Sequence, residues 1–318
     1  MFNVWFFLCN EGINKDWFMK IKVPATTANL GPGFDCLGVA LSLYNEFEIN
    51  VVQNARYKVR IETEGVDVDE IPKDETNYVF QAIKKIFDFC KIKIPSLEIY
   101  VKNNIPLNRG LGSSATAYVA GVVAGNILCG ESLSEYELLN FAVQLEGHPD
   151  NVIPAMFGGL CVSNISDRKI KFVKLQVPKD LVVLAIIPDK KISTEKARNI
   201  LPKKIEFEKA VKNVSNVALL ISSILSKKYE FLKFATQDFL HQPYRKKLMP
   251  WMDKVFEVCL KNKALCCMLS GSGSTIVAFY KNSELNENIL EKIRFEIDKI
   301  LNCEYKVLKF LNKGIEVK

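Results

Sequence analysis

The sequence predicts an α+β protein of two domains. Strand-like and helix-like stretches mix without the strict alternation of a doubly wound sheet. At 318 residues the chain is long for one core and comfortable for two. Its character also shifts in the second half, where Leu181 to Ile187 is a continuous apolar run that reads as a strand buried on both faces. The expected domains are 19–170 and 171–318.

Residues 1–18 look foreign to the rest of the chain and are expected to form an N-terminal extension. The apolar run from Val4 to Cys9 has no basic flank before it and no small-residue cleavage site after it, and it is too short to span a bilayer. Met19 looks like a natural start. Lys20 to Val23 reads as a short strand, and Pro24 to Gly38, with three glycines and two prolines, as loop-like. Glu46–Val52 and Tyr57–Glu62 alternate apolar and polar residues and read as paired strands. Glu75 to Cys90 has helical spacing through Val79, Ile83, Ile86 and Phe87. Leu97 to Lys102 reads as a strand, and Thr116 to Leu128 as a buried helix in which Gly121 and Gly125 allow close packing.

Ser134 with Glu137 three residues on is a capping box, opening a helix that runs out at Gly147. Phe157–Val162 and Lys171–Val177 return to strand. Ser193 to Pro202 reads as a polar connection. Helices are expected at 207–225, 231–240 and 248–262, a strand at 276–280, an amphipathic helix at 287–301 and a last strand at 305–310.

A hydrophobic fraction of 48% with 25% charged residues is ordinary for a soluble globular protein. The net charge of +7 is spread over scattered basic pairs with no interleaved aromatics, which argues against a nucleic-acid stripe and suits anionic small substrates. The nine cysteines form no C-x-x-C pair and several sit in apolar runs, so they read as reduced core thiols of a cytoplasmic protein. With two histidines, a His-rich metal site is excluded.

The stretch Pro106, Leu107, Asn108, Arg109, Gly110, Leu111, Gly112, Ser113, Ser114, Ala115 lies between a strand and a helix start. Glycines there let main-chain N–H groups converge on an anion, and the first helical turn adds its unpaired N–H groups and dipole. Ser113 and Ser114 can offer hydroxyls to phosphate or to a phosphate-bound Mg²⁺. No Gly-Lys-Ser/Thr closes the loop, so it is not the Walker pattern. A small-residue packing turn is the alternative. Asn29 and Asp35 stand in the Pro24–Gly38 segment, where local Asx turns compete with ligand binding as the explanation. Glu146, His148, Asp150 and Asn151 crowd a helix end, with Pro149 among them, and read either as residues that cap the helix and turn the chain or as a second part of a site.

In order, Pro24–Gly38, Pro106–Ala115, Glu146–Ala155 and Leu269–Thr275 resemble the signatures of the small-molecule kinase superfamily named for galactokinase, homoserine kinase, mevalonate kinase and phosphomevalonate kinase (GHMP). The first and third resemble its homoserine kinase branch in particular, and the resemblance covers about residues 19–318. It implies ATP-dependent phosphorylation of the L-homoserine side-chain hydroxyl to O-phospho-L-homoserine, on the way to threonine. It also implies an N-terminal domain like the second domain of ribosomal protein S5, with a left-handed βαβ arrangement under the ATP, and a ferredoxin-like C-terminal domain.

By position, residues 106–115 then match the ATP loop, Ser114 and Glu146 the Mg²⁺ ligands, and Asn77 a segment near the adenosine. Asn29, Asp35, His148 and Asp150 fall where the family holds homoserine. Arg198 and Arg245 match the clamp on its carboxylate, Gly271 and Gly273 back the pocket, and Asn151 lies beside the reacting hydroxyl. Two planar guanidinium forks and an acceptor for an ammonium suit a zwitterion. Whether Asp150 also abstracts a proton stays open at this point. Competing readings are a superfamily kinase for an isoprenoid or sugar alcohol, which gives no reason for Asp35, Arg198 and Arg245 together, and a non-catalytic regulator, which predicts an eroded phosphate loop. The family often forms dimers, so the resemblance allows a homodimer, though the sequence itself does not give the oligomeric state; no nucleic acid or membrane partner is expected.

Overall fold

The computed structural model describes residues 17–318 apart from 54 and 168. Most of the expected N-terminal extension, 1–16, therefore lies outside the described residues. Residues 17 and 18 already belong to strand β1 (Trp17–Ala28).

A seven-stranded sheet organises the first half. β1 pairs antiparallel with β2 (Leu37–Val52), β2 with β4 (Ser96–Asn103), and β4 runs parallel to β3 (Val59–Gly65). β5 (Leu160–Ser166) joins β2, and β6 (Lys169–Leu175) joins β5. Two expectations are corrected here. β1 continues through Pro24 to Ala28 because the proline sits at a register shift between Pro24 and Ala25, where its missing N–H costs little of the ladder. The strand over 57–62 pairs with β4 and not with the strand over 46–52, because the chain crosses over through helix α1 (Tyr78–Cys90) to set β3 and β4 parallel.

α1 buries Val79, Phe80, Ala82, Ile83, Ile86 and Phe87 along one stripe. Full burial of each of its large side chains stabilises by about 1.5–3 kcal/mol. Helix α2 (Ser113–Leu128) lies against it so closely that a Cβ on Gly121 would meet the Val79 carbonyl oxygen at 2.5 Å. Helix α3 (Glu135–Glu146) opens with both halves of the capping box in place and ends at Gly147. What read as a turn after it is helix α4 (Pro149–Phe157), with Pro149 in its first turn, where a missing N–H is harmless. The strand expected from Phe157 begins only at Leu160.

The second sheet has strand order β10–β7–β9–β8, all antiparallel, from β7 (Leu181–Pro188), β8 (Cys266–Leu269), β9 (Ile276–Lys281) and β10 (Cys303–Lys309). First strand central beside the last, third beside the second: this is the ferredoxin-like order. All eight residues of β7 are buried, as its unbroken apolar run requires. One face packs on α9 (Met252–Lys261) and α10 (Glu287–Ile297). The other shares a core with the first sheet, Leu37, Val39 and Leu111 meeting Val183, Leu220 and Phe279.

Between β7 and β8 the expected polar connection contains a short helix, α5 (Thr194–Asn199), capped by Ser193. α6 (Phe207–Ser226) follows as expected. The helix expected over 231–240 shrinks to a 3₁₀ turn and α7 (Leu232–Ala235), and the short α8 (Gln242–Arg245) precedes α9. A domain limit at 170 would cut β6. The chain end also returns to the first sheet, where β11 (Glu316–Val317) pairs with Ile21 and Lys22.

Candidate active site

A cavity of about 440 Å³ lies between the two halves, within the range of small-molecule sites. Its floor is the 106–112 loop. Four consecutive carbonyls of that loop are taken by donors: Asn108 O by Ile192 N at 3.1 Å, Arg109 O by Thr275 N at 3.1 Å, Gly110 O by Ser270 Oγ at 2.6 Å, and Leu111 O by Thr26 N at 3.1 Å. In a trans peptide the next N–H points the opposite way from each carbonyl. Among the described residues no acceptor meets the N–H groups of residues 109–115. A packing turn would leave no such row of free donors in a cleft; an anion cradle requires it. Gly112, the N-cap of α2, holds φ at +72°, and a Cβ there would meet Thr26 Oγ1 at 2.1 Å.

Not every loop side chain serves the cleft. Pro106, Leu107, Asn108, Gly110, Leu111 and Gly112 border it, whereas Ala115 is wholly buried in the core. Arg109 turns its guanidinium to Pro188 O at 2.9 Å and Asp189 at 3.2 Å, tying the loop to the end of β7. Ser113 corrects the expectation of two phosphate-facing hydroxyls. Its Oγ donates to Asn103 Oδ1 at 3.1 Å and accepts from Asn45 Nδ2 at 3.2 Å. Asn45, which the sequence reading missed, also accepts from the N–H groups of Asn104 and Ile105 at 2.8 and 3.0 Å, pinning the start of the loop.

Ser114 does face the cleft, its Oγ donating to Glu146 Oε1 at 2.8 Å from the last residue of α3. Burial pushes the Glu146 carboxyl up to about 6, against the pull of His148 and the Ser114 hydrogen bond. No cluster of three or more His, Cys, Asp or Glu able to hold a metal occurs among the described residues. An oxygen pair beside a row of N–H donors instead fits Mg²⁺, which takes one or two protein ligands and completes its shell with phosphate and water.

His148 Nδ1 lies 2.7 Å from Asp150 Oδ1, and its Nε2 3.8 Å from Glu146. Burial lowers the imidazole pKa, but the Asp150 hydrogen bond and the two carboxylates outweigh it, so the net shift is upward. Asp150 stands in the first turn of α4, where the helix dipole favours a negative charge. Asn151 accepts from Thr26 Oγ1 at 2.7 Å, which leaves its amide N–H₂ as the group available to a ligand.

At the far end Asp35, with φ of +54°, receives both guanidinium arms of Arg198, at 2.9 and 2.7 Å. That fork raises the Arg198 pKa. Asn29 serves the scaffold: its Nδ2 donates to Gly271 O at 3.0 Å and its Oδ1 accepts from Asp35 N at 3.0 Å. Arg245 is 2% exposed, with Nε on Ala197 O at 3.1 Å and Nη1 on Gly271 O at 2.8 Å. The expected free fork is thus corrected, because only Nη2 remains for a ligand. Burial, then the charge of Arg198, lowers the Arg245 pKa to about 10, which keeps it cationic at neutral pH. Phe34 lies under both guanidiniums, at 5.4 Å from Arg198 and 5.3 Å from Arg245.

Asn77 borders the opposite end, but its side chain caps α1 through Val79 N at 2.9 Å and holds Pro72 O at 2.8 Å. The apolar surface there comes from Ile71, Pro72, Leu107 and the stacked rings of Tyr78 and Tyr118, 4.9 Å apart. The cavity therefore runs from an apolar slot, past an anion cradle with an oxygen pair, to a zwitterion-sized cluster of opposite charges. Thr194 and Ser272 complete the far wall.

The model of the GHMP kinases N terminal domain matches residues 77–159, and that of the GHMP kinases C terminal matches residues 224–299. The homoserine kinase of Caldicellulosiruptor bescii is 45% identical over 300 residues, 94% of this chain and 96% of that one. The homoserine kinase of Caldanaerobacter subterraneus subsp. tengcongensis is 42% identical over 300 residues, 94% and 95% of the two chains. Among solved structures, the homoserine kinase from Cytophaga hutchinsonii superposes with a TM-score of 0.85 at 33% identity, covering 97% of this chain and 99% of that one. The L. major mevalonate kinase, at 14% identity and a TM-score of 0.71 over 94% and 98% of the chains, shares the fold.

Proposed function

The chain belongs to the homoserine kinases of the GHMP kinase family, and we propose that its cavity performs ATP-dependent phosphorylation of the homoserine side-chain hydroxyl with the residues assigned below. One observation supports this reading above the others: the row of unpaired N–H groups over 109–115 and the Asp35–Arg198 pair border one cavity.

ATP lies with its base against Tyr78 and Tyr118 and its phosphates on the loop N–H groups. Ser114 Oγ and Glu146 hold Mg²⁺, which when bound supplies charge neutralisation for the phosphoryl oxygens. Homoserine enters as a zwitterion, with its ammonium toward Asp35 and its carboxylate toward Arg198 and the Nη2 of Arg245. Asn151, fixed by Thr26, offers its amide to the reacting hydroxyl. Asp150 positions substrate and is not the proton acceptor: its carboxylate is already engaged by His148 at 2.7 Å at a helix N-terminus. The hydroxyl oxygen bonds to the γ-phosphorus as its bond to the ADP oxygen breaks, ADP leaves, and the hydroxyl proton passes to an oxygen of the transferred phosphoryl group, as a loose transition state allows.

An ATP domain ending after β6 and a second domain from β7 onward are part of the same reading. So is a cytoplasmic location, supported by eight free cysteines among the described residues. A homodimer finds a surface on α6, where Phe207, Val211, Val214, Ala218 and Leu225 lie exposed along one face. Phe207 is 84% and Val214 70% exposed. Turning the helix end for end about Asn216 maps Phe207 onto Leu225 and Val214 onto Ala218, so the exposed stripe meets a second copy of itself.

An ATP-consumption assay across homoserine, mevalonate and galactose tests the assignment. Turnover is expected with homoserine alone; turnover with either other alcohol and none with homoserine refutes it.

A further inference from the structure

Behind Arg245 lies a buried polar cluster that plays no part in the phosphorylation chemistry. His241 is 0% exposed and does not border the cavity. Its Nε2 lies 2.8 Å from Gly31 O, and its Nδ1 3.1 Å from Arg245 Nη1. A carbonyl only accepts and a guanidinium only donates, so these neighbours fix the tautomer, with the proton on Nε2 and Nδ1 bare. Asp238 is held mainly by the backbone, Oδ1 accepting from Leu240 N at 2.8 Å and Oδ2 from His241 N at 2.9 Å and Gln242 N at 2.6 Å, while Oδ2 also lies 3.4 Å from the protonated Nε2. The carboxylate thus shapes the turn that presents the imidazole. Phe34 packs on the His241 ring at 5.4 Å and an interplanar angle of 30°.

His241 therefore joins two segments far apart in the chain, the 29–35 loop that carries Asp35 and helix α8 that carries Arg245. We infer that His241 is a positioning residue for the amino acid substrate: by accepting from Arg245 and donating to Gly31, it holds the carboxylate-binding cation and the ammonium-binding loop at a fixed separation. This rests on the proposed roles of Asp35, Arg198 and Arg245 in binding homoserine. Three acceptors, Ala197 O, Gly271 O and His241 Nδ1, direct the guanidinium so that Nη2 is the arm left over. Loss of the imidazole acceptor leaves Nη1 held by Gly271 O alone, so the guanidinium is less firmly aimed, and loss of the Gly31 bond releases the loop on the other side.

The test compares wild type with His241→Phe, which keeps a ring against Phe34 and removes both bonds, and His241→Asn, which keeps an acceptor near Arg245 and cannot reach Gly31. KM for homoserine, KM for ATP, kcat and Tm are measured for each. A hydrogen bond to a charged group corresponds to about a tenfold or larger change in binding, so KM for homoserine rises by about that factor in His241→Phe. A smaller rise is expected in His241→Asn, and KM for ATP stays within about twofold in both. If His241→Phe does not fold, His241→Asn carries the test with the same split. Unchanged homoserine KM in a folded variant, or ATP and homoserine KM rising together, overturns the proposal alone. Absence of homoserine turnover by wild type overturns the functional reading and this proposal with it.

Discussion

Replacing Gly112 by alanine tests the geometry of the phosphate loop, and Gly147→Ala supplies its control. Both glycines hold left-handed backbone, φ +72° at Gly112 and +92° at Gly147. An L-residue there costs about 1–2 kcal/mol in either place. Their surroundings differ: nothing lies within 4 Å of a Cβ on Gly147, whereas one on Gly112 meets Thr26 Oγ1 at 2.1 Å and Asn151 Oδ1 at 3.1 Å. Relief requires Thr26 to move, which breaks its buried 2.7 Å bond to Asn151. A buried polar group left unpaired costs about 1–3 kcal/mol more. Urea unfolding should therefore place Gly112→Ala about 1–3 kcal/mol below Gly147→Ala in stability. Gly112→Ala should also raise KM for ATP about tenfold or more, since the loop that presents the N–H groups is the part displaced. Equal losses in the two variants, or a folded Gly112→Ala with wild-type KM for ATP, would refute the reasoning.

The same geometry sets four further outcomes. Burial lowers the His241 pKa to about 4, below its ordinary 6.5, so the unfolded chain binds the extra proton first as pH falls. The stability contributed by the neutral imidazole is complete above about pH 6.5 and lost on descent to about pH 4, roughly 3 kcal/mol in all. Unfolding free energies of wild type and His241→Asn across that window should converge at low pH; parallel curves contradict it. Ser114→Ala should raise the Mg²⁺ concentration for half-maximal rate several-fold, and an unshifted Mg²⁺ titration removes Ser114 from the metal. Asp150→Asn should weaken homoserine binding at near-normal kcat, while a large loss of kcat at unchanged KM would make Asp150 the base. Val214→Lys, in the middle of the α6 stripe, should turn a dimer into a monomer in sedimentation or light scattering; a wild-type monomer, or a variant that stays dimeric, excludes this face.

Features encoded by neighbouring residues were legible in the sequence. The Ser134–Glu137 capping box, the apolar run of β7 and the strand–loop–helix around Gly112 all depend on residues within a few positions of one another, and all formed as expected. What escaped was set by distant partners. Ser113 looks like a phosphate ligand until Asn45, 68 residues earlier, takes its hydroxyl. Arg245 looks like a free fork until Ala197 O, Gly271 O and His241 occupy Nε and Nη1. The outward turn of the loop carbonyls depends on Thr26, Ile192, Ser270 and Thr275, which sequence spacing cannot bring together. Pro149, Asp150 and Asn151 read as a turn because those residues favour turns, yet each is also at home in the first turn of a helix. The family resemblance named the site residues; the structure divides them into groups that face the ligand and groups, such as Asn29 and Arg109, whose side chains hold the others in place.

Phosphorus NMR of a reaction containing ATP, Mg²⁺ and homoserine tests the central claim most directly. A phosphomonoester on the homoserine side-chain oxygen should appear in a one-to-one ratio with ADP, and no such signal should form with 4-hydroxybutyrate, which lacks the ammonium. Release of inorganic phosphate without the ester, or equal ester formation from 4-hydroxybutyrate, would contradict it.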